Sequence, residues 1–102
     1  MKIFWTEKAE FSYSKELENI NKKWTSKEVA NFINLVDEFI KNLESGLIEG
    51  KTSSKRNIRS FVISKQTTLF FVVNEKNNEI NLILFWNNKD NPKKLKKELR
   101  SI

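Results

Sequence analysis

The sequence predicts an α+β domain: an N-terminal strand and an antiparallel helix hairpin packed on a small, mainly antiparallel β-sheet, with a short basic C-terminal helix. Three observations predict it. Two stretches before Gly46 repeat apolar residues at helical spacing. Three later stretches are rich in β-branched and aromatic residues and are joined by short polar turns. Pro92 then opens a lysine-rich segment and suits the first turn of a helix.

Taken in order, Lys2 to Trp5 reads as a short first strand, and Thr6 is placed to cap a first helix. Ala9, Tyr13, Leu17, Ile20 and Trp24 recur at spacings of four, four, three and four, which is one stripe of that helix. Phe11 lies off that stripe, as a partner contact or as packing under the C-terminal segment. Thr25-Ser26-Lys27-Glu28 has the pattern of a capping box. Val29, Phe32, Ile33, Val36, Phe39, Ile40 and Leu43 form the clearest periodicity of the chain, a core stripe that Gly46 ends. The short turn at Thr25 implies an antiparallel pair of helices. Glu49 to Lys55 is a polar loop. Ile58–Ile63, Leu69–Val73 and Ile80–Trp86 are the strands of a meander, and Leu95, Leu99 and Ile102 mark the apolar side of the last helix.

A sheet with one wet face alternates apolar and polar residues. Leu69 to Val73 and Leu82 to Phe85 are apolar throughout, so both faces need a cover. The helix hairpin supplies one. The last helix, a partner chain, or both must supply the other.

The chain, 102 residues long, fits one domain over 1–102 and has no apolar run long enough to span a membrane. It has neither cysteine nor histidine. That excludes a disulfide framework and Ser-His or Cys-His nucleophile pairs, leaves a zinc site only carboxylates, and fits a cytoplasmic protein. No metal or cofactor is expected. The formal charge is +6, from 19 basic and 13 acidic residues, which points to an anionic partner: nucleic acid, a ribonucleoprotein or an acidic protein.

Two stretches carry a family resemblance. "IFWTEKA" at Ile3–Ala9 resembles the opening strand, with its Trp and helix-start Ala, of the RelE/ParE superfamily of bacterial toxins. "NIRSFVISKQTTLFFVVNEKNNEINLILFWNNKDNPKKL", Asn57–Leu95, is similar to its second half, an aromatic-rich meander running into a basic-x-x-Pro segment. The resemblance implies the toxin of a type II toxin–antitoxin pair, neutralised by a cognate, usually acidic, antitoxin in a higher-order complex, with no membrane step. It also implies one of two mechanisms: cleavage of mRNA on the ribosome, or inhibition of DNA gyrase without a nuclease site.

Arg59 and Lys89 match positions where the family places basic residues, Lys89 where an arginine is usual, so the bidentate fork is lost there. Phe61, Thr68 and Leu95 stand where the ribonuclease branch commonly has a second basic residue, an arginine and a tyrosine. Attack of a 2′-OH on the adjacent phosphate needs a proton acceptor, a donor and cations. Arg59, Lys89 and Arg56 are weak catalytic candidates that supply only the cations. The balance favours a ParE-like, non-enzymatic inhibitor over a RelE-like endoribonuclease, with a non-toxic binding module as a third reading.

The expected target- or antitoxin-contact residues are Arg59, Phe61, Phe70, Phe85, Trp86, Lys89, Lys93, Lys94 and Lys97. Each has a structural alternative. Arg59 can pair with a carboxylate such as Glu79, and Trp86 can pack in the core. Lys55-Arg56 and the lysines of the last helix can simply be solvated. The amides around Lys89 can serve Asx turns and a helix cap.

Overall fold

The computed structural model describes residues 1–48, 50–52 and 57–100. Its elements are β1 (Lys2–Trp5), α1 (Glu7–Lys23), α2 (Ser26–Glu44), β2 (Lys51–Thr52), β3 (Ile58–Val62), β4 (Thr67–Asn74), β5 (Glu79–Asn87) and α3 (Pro92–Arg100). The five strands form one sheet in the order β1-β5-β4-β3-β2. β1 runs parallel to β5, and every other pair is antiparallel. The helix hairpin covers one face and α3 lies on the other, as the apolar runs require.

Local chemistry sets the helix ends. Thr6 caps α1, its hydroxyl accepting the Ala9 N–H at 3.1 Å. α2 ends in a Schellman turn: Leu47 N–H donates to the Asn42 carbonyl and Gly46 N–H to that of Leu43, with Gly46 at φ 92°. The expected capping box does not form. Thr25 occupies the cap position, but its side chain makes no cap bond, and the Glu28 N–H reaches the Thr25 carbonyl instead. Trp24 departs from the expected stripe too. It stands at the C-cap of α1, where the chain has left helical geometry, and is exposed. The polar loop before β3 contains β2, two exposed residues paired with Arg59 and Ser60. Lys55, Arg56 and Ile102 lie outside the described residues.

The first core lies between hairpin and sheet. Val36, Leu43, Leu69, Phe71, Ile80 and Leu82 are fully buried there, joined by Ile20, Phe32, Phe39 and Phe85. Phe39 stacks on Phe61 at 4.0 Å and meets Phe71 edge-on. Tyr13 packs against Trp5, Phe32 and Phe85; this burial, with the nearby Asp37 charge, raises its hydroxyl pKa above 10.0.

A second cluster occupies the other face. Ile83, Leu84 and Trp86 are buried, with Phe70, Val72, Leu95 and Leu99 packed against them. A β-bulge makes it possible. Phe70 lies opposite Leu84 and Phe71 opposite Leu82, so Ile83 is the extra residue. Ile83 and Leu84 therefore both join the second cluster, while Leu82 and Phe85 join the first.

Gly50 links β2 to this framework at φ 118°, and a Cβ there would lie 2.7 Å from the Ser60 carbonyl oxygen. Gly50→Ala is expected to cost about 3 kcal/mol or more through strain and clash together. Gly46→Ala, at φ 92° in open space, meets backbone strain without a clash and should cost about 1–2 kcal/mol. Urea unfolding of both variants checks the difference; a larger loss at Gly46 would contradict it.

Candidate functional site

β1 pairs with β5 from Glu79 to Leu82, so among the described residues the rest of β5 has no strand on that side. α1 takes the strand's place with polar side chains. The Thr6 N–H and hydroxyl both donate to the Leu82 carbonyl, at 3.2 and 2.8 Å. Ser12 accepts the Phe85 N–H at 2.9 Å while its own hydroxyl donates to the Lys8 carbonyl. Glu16, buried on the same side, accepts the Asn87 side-chain amide at 3.1 Å. This seals an edge that would otherwise invite another strand.

The sealed edge is the floor of a groove of about 490 Å³ between α1 and α3. Leu84 and Trp86 form its apolar base, and Lys15, Lys94 and Lys97 stand along it. Lys8 closes one end, bridging to Glu98 of α3 at 2.8 Å. Phe11 lies on the groove and is 72% exposed, so it does not pack under α3.

The segment from Asn87 to Asn91 is an ordered loop. The Asn87 side-chain oxygen accepts the Lys89 N–H at 2.9 Å, and the Asn88 side chain accepts from the Thr68 hydroxyl and donates to the Lys65 carbonyl. Asn91 begins α3, its side chain accepting the Lys93 N–H at 3.0 Å. These amides are turn and cap groups. Lys89 is carried exposed among them.

The expected contact residues divide. Phe70 and Trp86 come together under α3. Lys89, Lys93, Lys94 and Lys97 are exposed on the loop and on α3. Along α3, Lys93, Lys96, Lys97 and Arg100 fall at helical spacing, while Leu95 and Leu99 seat the helix on the sheet. Phe61 and Phe85 belong instead to the first core, where Phe61 stacks on Phe39 and Phe85 on Trp5. Phe85 is buried there, and Phe61 is half-buried.

Arg59 is half-buried and lies opposite Phe71, on the hairpin side of the sheet rather than on its second face. It lines a separate cavity of about 540 Å³ with Thr52, Asn57, Val73 and Lys76. Among the described residues it forms no salt bridge, with Glu79 or any other carboxylate. Arg59 and Lys89 are not brought together. The Arg59 rung meets β4 at Phe71 and the Asn87 rung at Thr67. That separates them by about 13 Å along the strand and about 10 Å across two strand spacings.

Sequence reasoning missed Ser12, Glu16 and Thr67, the buried polar residues among those described. Ser12 and Glu16 continue from Ala9 at spacings of three and four, a helical line hidden by its polarity, while Thr67 carries no such signal.

No protein-family model and no curated protein matches the sequence. Solved structures do match the fold. A metal-bound toxin from Helicobacter pylori has a TM-score of 0.65 at 10% identity, covering 86% of this chain and 94% of that one. A copper-bound mutant toxin from the same organism has a TM-score of 0.63 at 14% identity with the same coverage. At such identity the likeness is one of fold. Among the described residues no three His, Cys, Asp or Glu side chains gather to hold a metal ion, and no helix is long and apolar enough to cross a membrane.

Proposed function

We propose that this protein is the growth-inhibiting toxin of a type II toxin–antitoxin module, acting by a ParE-like binding mechanism on DNA gyrase and neutralised by a cognate antitoxin. The observation that carries the class is the fold shared over most of both chains with solved bacterial toxins. The non-nuclease mechanism is supported by the separation of the candidate cations. Phosphorane stabilisation needs positive groups converging on one phosphate, whereas the Arg59 rung, at Phe71, lies about 13 Å along β4 from the Asn87 rung, at Thr67, and two strands away. The basic face of α3 and the Lys89 loop form the surface offered to an acidic antitoxin or to the target.

Supercoiling assays with purified protein and gyrase test the reading. Inhibition near stoichiometric protein is expected, and no inhibition at excess contradicts it. If primer extension shows cleavage of translated mRNA, the RelE-like endoribonuclease mechanism replaces it. Lys89→Ala should weaken growth arrest about tenfold and change stability by no more than about 0.5 kcal/mol, as for an exposed residue. Arg59→Ala should weaken arrest likewise with a fold that survives. Growth curves under graded induction, read beside thermal melts, check both.

A further inference from the structure

We propose that Glu16 is a positioning residue: from beneath, it fixes the conformation of the Asn87–Asn91 loop and thereby the presentation of Lys89 to a protein partner. The partner's existence rests on the function proposed above; the control of the loop does not.

Glu16 is 2% exposed, yet among the described residues no cation pairs with it. One carboxylate oxygen accepts from the Thr67 hydroxyl. The other accepts from the Asn19 amide at 3.2 Å and the Asn87 amide at 3.1 Å. A carboxylate only accepts, so three donors from α1, β4 and β5 converge on it without mispairing. With its NH₂ held by Glu16, the Asn87 amide must turn its oxygen outward, where it takes the Lys89 N–H. The opposite flank is fixed independently: the Asn88 N–H donates to the Gln66 carbonyl at 2.7 Å and its side chain clasps Thr68 and Lys65. The loop is thus clamped between α1 and the β3–β4 turn. An apolar side chain could fill the volume of Glu16, but it would not orient Asn87.

Glu16→Gln should preserve the arrangement. Its oxygen can serve Asn19 and Asn87 while its NH₂ turns to Thr67, whose hydroxyl can accept. Glu16→Leu should release Asn87, and the unbranched Glu16→Met should do the same, should the leucine variant fail to fold. The experiment measures amide hydrogen exchange by NMR on the full chain, with growth arrest measured for the same variants. Glu16→Leu or Glu16→Met is expected to speed exchange at Lys89 about tenfold, leave the independently held Asn88 and the core amides Phe71 and Ile80 within about twofold, and weaken arrest about tenfold. Glu16→Gln should match the wild type in both.

Unchanged exchange at Lys89 in the folded variants, or Glu16→Gln as disruptive as Glu16→Leu, would overturn the proposal. So would a released loop with undiminished arrest. A wild-type protein that arrests no growth would contradict the proposed function instead, and the exchange rates would still decide whether Glu16 governs the loop.

Discussion

Phe71→Ala is expected to bring the domain to the edge of unfolding. Phe71 is the largest fully buried side chain among the described residues, wedged edge-on against Phe39 and beneath the approach of Gly50. Sheet and hairpin close on it from two sides, so the vacated volume cannot collapse easily. Truncation should cost about 3–5 kcal/mol, a large part of the roughly 5–15 kcal/mol that holds an ordinary domain together. At about 4 °C or more per kcal/mol for this size, the melting temperature should fall by at least about 12 °C. Differential scanning calorimetry checks it. A drop of only a few degrees would mean that hairpin and sheet do not meet on Phe71.

The second large effect concerns α3. The helix has no fully buried residue and rests on Leu95 and Leu99, with Lys8–Glu98 as a further tie to α1. Each half-buried leucine contributes about 0.8–1.5 kcal/mol, half of what full burial gives. The double variant Leu95→Asp/Leu99→Asp places two carboxylates against Ile83, Leu84 and Trp86 and should detach α3. The expected outcome is a loss of about 2–4 kcal/mol together with an uncovered apolar face that promotes self-association. Dye binding and light scattering on the variant read the second part. A soluble monomer with wild-type dye response would show that the face has another cover.

Much of this architecture was legible because hydropathy reports burial. The stripe from Val29 to Leu43 is the inner face of α2, and the runs at Leu69–Val73 and Leu82–Phe85 are apolar because the sheet is covered on both sides. Where structure rests on something else, hydropathy is silent. β2 is held by two main-chain pairings and carries no apolar pattern. On α1 the most buried residues are Ala9, Ser12, Glu16 and Ile20, so the apolar stripe through Tyr13 and Leu17 points slightly aside from the true inner line. Ser12 and Glu16 are inside because β5 needs its edge sealed, a requirement set by the short length of β1 and absent from any local pattern.

The candidate site was less legible still. Aromatic residues on a two-faced sheet look alike in sequence, yet Phe61 and Phe85 face the hairpin while Phe70 and Trp86 face α3. The bulge at Ile83 decides the facing at the end of β5, shifting Leu84 and the residues after it by one place. Nothing in Leu82-Ile83-Leu84-Phe85 announces that shift. Arg59 illustrates the same point: its rung opposite Phe71, not its charge, puts it on the hairpin side.

The sheet is apolar on both faces, and α3 closes the second. Proton–proton NOE contacts from the Leu95 and Leu99 methyls test it most directly. Cross-peaks to Ile83, Leu84 or the Trp86 ring are expected, with helical shifts from Pro92 to Arg100. A solvent-exposed Trp86 indole and coil-like shifts across that segment, with no such cross-peaks, would contradict it.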